Sequence, residues 1–201
     1  GTHKIESAKK KPSANASAVW NYEPGDIIRV VAYTNCEEAE LLLNGKKVGE
    51  RKPYDDSTAI IYWDIPYTPG TLEVVAYNQG NMVAKDKIQS SGLPYAIRTS
   101  MDKTQDIKVG EVLHLMIQVV DENNIPVVLA DNQITCKIEG EAALLGLESG
   151  DHNVADNYRD NKQRCKNGKL LGYVKVTGQG KVKIRLTSPL LQPAIWELNV
   201  E

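Results

Sequence analysis

The chain predicts an all-β protein of two tandem immunoglobulin-like β-sandwich domains, and three observations carry that expectation. Short runs of β-branched and apolar residues with a period of two recur along the whole sequence. Turn signals separate them roughly every 8–12 residues, which is the rhythm of sandwich strands. No segment sustains the i, i+3, i+4, i+7 apolar stripe of an amphipathic helix.

The runs can be taken in order. After the turn Pro24-Gly25-Asp26 comes 27–33 (IIRVVAY), then the stretch TNCEEAELLLNGKKVGE at 34–50. There Asn44-Gly45 supplies the positive φ angles of a tight hairpin, with a second short strand running to Val48. Leu41 and Leu43 are expected inward, with Glu38 and Glu40 outward. Strand-like runs follow at 59–63 (AIIYW), 72–77 (LEVVAY) and 83–88, with turns at Pro69-Gly70 and Asn78-Gln79-Gly80. Pro66 and Pro69 bracket a strand exit, where a missing amide donor costs little. A break falls at Ser91-Gly92-Leu93-Pro94.

A second series then begins at 96–101 and continues at 112–120 (VLHLMIQVV), 134–138, 170–176 (LLGYVKV), 182–186 and 195–200. A lone helical turn is expected around 157–164. The organisation is therefore a Lys-, Ser- and Ala-rich tail or linker at 1–19, a first sandwich at 20–92 and a second at 93–201.

Composition narrows the function classes. The net charge of −2 over 201 residues gives no electrostatic case for a nucleic-acid partner. Nothing approaches the roughly 18 consecutive apolar residues of a membrane span, so no membrane insertion is expected. The start GTHKIESAKKKPSANASA has no apolar run and does not read as a secretory signal. The three cysteines, Cys36, Cys136 and Cys165, are far apart and the three histidines scattered, so neither a zinc site nor any other cofactor is expected. A Cys136–Cys165 bridge is one reading; buried free thiols acting as small hydrophobes is the better one.

Several motifs carry a resemblance. The order Tyr33, Asn35, Glu37-Glu38, Glu40-Leu41, Leu43-Asn44-Gly45-Lys46 and Gly49 is similar to a hairpin in a C-terminal accessory domain of family 2 glycoside hydrolases of the β-galactosidase and β-glucuronidase type. Upstream, Trp20-Asn21-Tyr22 is similar to the W-N-W element that leads from their catalytic barrel. Downstream, WDIPYTPG at 63–70 resembles their W-x-V-P-Y-x-P-G turn. In the second half, 130–151 (ADNQITCKIEGEAALLGLESGD) looks like the A-D-N-x-I run of their last sandwich, and RCKNG at 164–168 stands where they have R-x-A-F-N-G. Departures are Ser149 in place of Asn, and Lys166 in place of Phe. The resemblance spans about residues 20–187.

That resemblance implies a non-catalytic accessory region. The two catalytic glutamates would lie on an upstream (β/α)₈ barrel of the same polypeptide, which is the implied partner, and a periplasmic or secreted location follows from the family. Whether the chain is itself an enzyme is left open, though alone it is expected to be inactive. The alternatives are a carbohydrate-binding module, with an oligosaccharide as partner, and a tandem immunoglobulin-like spacer of a cell surface.

The residues hold few candidate sites. Retaining glycosidases need two carboxyls about 5–5.5 Å apart, whereas Glu37-Glu38, Asp55-Asp56 and Asp121-Glu122 are chain neighbours on strands or in turns. No catalytic residue is therefore assigned. The loop SGDHNVAD at 149–156 is the most site-like, with Asp151 and His152 as candidate sugar contacts. Trp20 and Tyr22 are the aromatic candidates for a sugar or for a contact outside their own sandwich. Trp63 and Trp196 are expected in the cores, which have no Phe to fill them.

Overall fold

The computed structural model describes residues 1–5, 16–151 and 160–201. It divides into two compact units, Gly1–Ser90 and Ser91–Glu201. Every regular element among the described residues is a β-strand, and every pairing between strands is antiparallel.

The first unit holds β1 (Thr2–Lys4), β2 (Ile27–Ala32), β3 (Glu38–Leu43), β4 (Lys46–Lys47), β5 (Lys52–Pro53), β6 (Ile61–Pro66), β7 (Thr71–Asn78) and β8 (Asn81–Gln89). One sheet has the order β1-β2-β6; the other runs β4-β3-β7-β8, with β5 also on β3. Ile28, Val30 and Ala32 of β2 and Ile61, Trp63 and Ile65 of β6 cluster with Ala39, Leu41 and Leu72, because period-two alternation sends them all to one side. The Asn44-Gly45 turn has φ of 52° and 76°, as a tight hairpin requires. The Asn44 side chain does a second job. Its carbonyl accepts from the Thr71 amide at 2.8 Å and its amide donates to the Pro69 oxygen at 3.1 Å, fixing the hairpin against the next strand.

Glu40 lies in the outward phase of β3, yet is only 7% exposed. Lys47 pairs with it at 2.8 Å and the Tyr77 hydroxyl donates to it, while the Arg51 guanidinium covers the Tyr77 ring at 3.5 Å. Strand β8 is exposed along nearly its whole length, and Lys85, Asp86 and Lys87 charge this free edge, which discourages strand addition.

The expected tail departs from expectation at its front. Thr2–Lys4 pairs with Ile28–Val30 as a sheet edge. The Thr2 hydroxyl, buried, donates to the Val19 carbonyl and shares a 2.8 Å hydrogen bond with the Tyr22 hydroxyl. A three-residue strand is shorter than any window in which alternation is visible, so composition dominates the reading there.

The second unit holds β9 (Ala96–Met101), β10 (Val112–Val120), β11 (Gln133–Glu139), β12 (Ala142–Glu148), β13 (Lys162–Arg164), β14 (Lys169–Val176), β15 (Gly180–Thr187) and β16 (Ala194–Val200). Its sheets have the orders β12-β14-β10-β9 and β13-β11-β15-β16. Leu113, Leu115, Ile117 and Val119 meet Ile134, Cys136, Val182, Ile184, Leu186 and Leu198 in one core. The helical turn expected around 157–164 gives way to strand at Lys162–Arg164, where pairing with β11 decides; residues 157–159 lie outside the described residues.

Asp121 is the polar centre of its turn. It accepts from the amides of Gly92 (2.7 Å), Ile125 (2.8 Å) and Asn123 (2.9 Å). Burial works against its charged form, but those three donors outweigh it and hold the carboxyl below its usual range. All three cysteines are free and buried; burial pushes Cys136 up to about 11 and Cys165 to about 12, so neither is a nucleophile at neutral pH.

Candidate functional site

The aromatic candidates assemble at one end of the first sandwich. Trp20 is 1% exposed, edge-on to Tyr67 at 5.1 Å and to Tyr22 at 6.1 Å. Its indole N–H donates to the Thr68 carbonyl at 2.9 Å, and its own carbonyl accepts from the Ser90 hydroxyl at 2.6 Å and the Tyr67 hydroxyl at 3.5 Å. The expectation of an outward contact for Trp20 is therefore corrected: its ring is spent on its own core, because WDIPYTPG closes over it. Tyr22, half-buried, is held by Thr2, and burial raises its phenol above the usual range despite that hydrogen bond.

Asp151 is tied down rather than presented. Lys166 reaches it at 2.8 Å, the residue that stands where the resembling family has Phe. His152, its expected companion, lies outside the described residues. Among the described residues no group of three or more His, Cys, Asp or Glu side chains converges to hold a metal.

The acidic pairs behave as turn and strand residues. Asp55 accepts from the Ser57 amide and hydroxyl, at 2.9 and 2.6 Å. Glu37 accepts from the Gln79 amide, and Glu38 meets Arg51 at 3.4 Å.

A richer surface lies where the sequence offered no candidate: the outer face of β12-β14-β10-β9. Strand register sets two rows across it. In one, Tyr173 pairs with His114, and the His114 carbonyl accepts from the Asp102 amide. In the next, Glu148, Leu171, Met116 and Ser100 lie side by side. His114 Nδ1 meets the Asp102 carboxylate at 2.7 Å, the Tyr173 hydroxyl donates to Glu148 at 3.0 Å, and the two rings stand edge to face at 5.4 Å.

Burial disfavours the Asp102 carboxylate, but the His114 amide and ring outweigh this and hold it below its usual range. The Tyr173 phenol is raised, chiefly by donating to Glu148. Around these groups Met116 is 60% and Leu145 47% exposed. Glu148 lies on β12 at one edge of the sheet, and Asp102 directly follows β9 at the other. At ~4.8 Å per strand their backbones stand about 14 Å apart.

Register alone unites these residues, so sequence reading missed them. The available signal was phase: His114 and Tyr173 each occupy the outward step of a run whose other outward residues include Met116 and Leu171.

Comparison with known proteins adds the following. Residues 97–197 match the family model described as glycoside hydrolase family 2 C-terminal domain 5. Residues 25–84 match a model described as a domain of unknown function (DUF4982). A curated relative, the β-galactosidase BoGH2A of Bacteroides ovatus, is 30% identical over 187 residues, which are 90% of this chain and 22% of the relative. A β-glycosidase structure from Bacteroides vulgatus superposes with a TM-score of 0.80 at 30% identity, over 90% of this chain and 24% of that one. A glycosyl hydrolase family 2 member from Bacteroides cellulosilyticus gives a TM-score of 0.81 at 27% identity, again over 90% of this chain and 25% of that one. The chain thus spans about a quarter or less of the relatives it matches.

Proposed function

The chain belongs to glycoside hydrolase family 2, through that family's C-terminal domain 5, and on that premise we propose that it braces or shapes a catalytic barrel carried elsewhere on the same polypeptide. The observation that supports this reading most directly is the match to only about a quarter of the length of larger family 2 relatives. The geometry is consistent with a scaffold. Each unit closes its own core, and the acidic pairs are engaged in turns and surface ion pairs rather than facing each other across a cleft.

On this reading the parent enzyme hydrolyses a terminal β-glycoside of the galactoside type with retention, in the periplasm or outside the cell, using glutamates of the barrel. The accessory region supplies rigidity and buried contact area.

The test compares the full polypeptide with a version from which all 201 residues of this chain are removed. Chromogenic β-galactoside turnover and thermal unfolding are measured on both. The expected result is a truncated enzyme with a Tm lower by several degrees and a reduced kcat/KM, since docking surplus adds directly to stability. Unchanged Tm and kcat/KM, or turnover by the isolated 201-residue chain, would overturn it.

A further inference from the structure

The two ends of the second sandwich differ in kind. At one end β9, β11 and β16 begin and β10 and β15 finish, and the connections 91–95, 121–132 and 188–193 meet there. Backbone hydrogen bonds join them into one surface. The Tyr95 amide donates to the Val120 carbonyl and the Gln192 amide to the Tyr95 carbonyl, both at 2.9 Å, while Asp121 holds the amides of Gly92 and Ile125. Leu93, Tyr95, Leu129 and Leu190 are all exposed on this surface.

All four prolines of the unit, Pro94, Pro126, Pro189 and Pro193, stiffen these three connections, and none of the three contains Lys, Arg or His. Their acids are Asp121, which is buried, with Glu122 and Asp131 exposed. Neighbouring elements bring cations to the margin. Arg98 reaches the Asn124 carbonyl, Arg164 reaches Asp131, Lys166 reaches Asp151, and Lys169 opens β14. The opposite end is an ordinary solvated one: 102–111 carries Lys103, Lys108 and Glu111, and Lys103 pairs with Glu111 at 2.7 Å.

Leu190 separates the first end from a merely apolar surface. The Leu191 amide donates to the Ser188 carbonyl at 3.3 Å, closing a four-residue turn with Pro189 second and Leu190 third. The third residue has φ of 65°, where Gly or Asn is usual and a branched apolar side chain is strained. Among the described residues, the other non-glycine positions with positive φ hold Asn, Gln, Asp or Ala. Leu190 is also wholly exposed, so its strain is offset by no contact within this chain. A strained apolar tip, fixed in place by the proline before it, suits an anchor inserted into a partner.

We infer that this end of the second sandwich docks onto the part of the parent polypeptide that this chain does not contain, with Leu190 seated in an apolar pocket there. Leu93, Leu129 and Tyr95 pack around that anchor. The inference rests on the bracing role proposed above and names the surface that performs it. Two observations select the occupant. The matched relatives extend well beyond the segment they share with this chain, which is about a quarter of their length. Four apolar side chains also fall short of the ~800 Å² per partner that freely associating proteins bury, which disfavours a second copy. A tethered neighbour docks on less, because linkage raises its effective concentration.

Leu190→Gly tests this by sign, since it relieves the strain and removes the anchor together. In the isolated 201-residue chain it should raise Tm by about 2 °C, because no contact is lost. In the full polypeptide it should lower Tm by about 2 °C or more. The double variant Leu93→Ser, Leu129→Ser should leave the isolated chain within about 1 °C and lower Tm only in the full polypeptide.

A rise with Leu190→Gly in both forms overturns the inference, and so does a fall in both, which would place the partner within these 201 residues. Concentration-dependent sedimentation of the isolated chain that Leu190→Gly abolishes would make a second copy the occupant and overturn it as well. The underlying reading is separable. If deleting all 201 residues lowers Tm while Leu190→Gly raises it in the full polypeptide, bracing stands and runs through another surface. If the deletion changes nothing, bracing itself fails and this docking with it.

Discussion

The inner and outer sides of the second sandwich obey different rules. Inside, the two sheets are interchangeable: Leu115 and Ile184 are both fully buried and meet in the same core. Outside, one sheet shows Lys137, Arg185, Lys183, Glu139 and Glu197 beside Ile195, and the other shows Met116, Leu171, Tyr173 and His114 beside Arg98, Lys169, Lys175 and Glu148. Burial therefore fixed the inner residues of both sheets alike, while the outer ones were free to diverge.

Six substitutions probe that contrast. The largest effects belong to the shared interior. Leu115→Ala and Ile184→Ala should each lower unfolding free energy by about 3 kcal/mol in urea titrations, the usual cost of a core cavity. Unequal losses beyond a factor of two would mean that the sheets differ inside as well. Next comes Tyr173→Ala, at about 1 kcal/mol, since it removes the ring that bridges His114 and Glu148.

Asp102→Asn should cost less than about 0.5 kcal/mol at pH 7, because the carboxylate is partly exposed and its partner pair is screened. A carboxyl held below its unfolded value stabilises above that value, near 3.9, and loses the contribution as pH falls through the folded pKa. The gap between wild type and variant should then close on acidification from pH 5 towards about 2, as followed by circular dichroism. A gap that widened on acidification would contradict this sign.

The smallest stability change is expected for Met116→Lys, within about 0.5 kcal/mol. Its value lies in a separate readout. It makes one face resemble the other, so the weak fluorescence of a hydrophobic dye bound to native protein should fall. Lys183→Met should raise it.

The strands were legible in the sequence wherever alternation was clean. The runs at 96–101 and 112–120 coincide with β9 and β10, and the Asn44-Gly45 hairpin sits where its turn chemistry requires. Strand β12, AALLGLE, was not read as a strand because a bulge between Leu144 and Gly146 shifts its phase midway. The burial of Glu40 was also hidden: it depends on Tyr77 and Lys47, which only pairing brings near. Trp20 misled for the opposite reason. An aromatic at the margin of a domain looks outward-facing until the distant Tyr67 and Ser90 are seen closing around it. The outer-face rows required register, which no local pattern encodes.

The hydrogen bond from Ser90 to the Trp20 carbonyl joins residues 70 positions apart at the root of the first sandwich. Everything between them is a closed loop of chain. A pull applied at Ser90 reaches Trp20 through this one hydrogen bond before it runs back along β8, so the clasp is among the first contacts to be loaded. The clasp also couples the last residue of the unit to the core, so a change at Ser90 is felt at Trp20, 70 positions earlier.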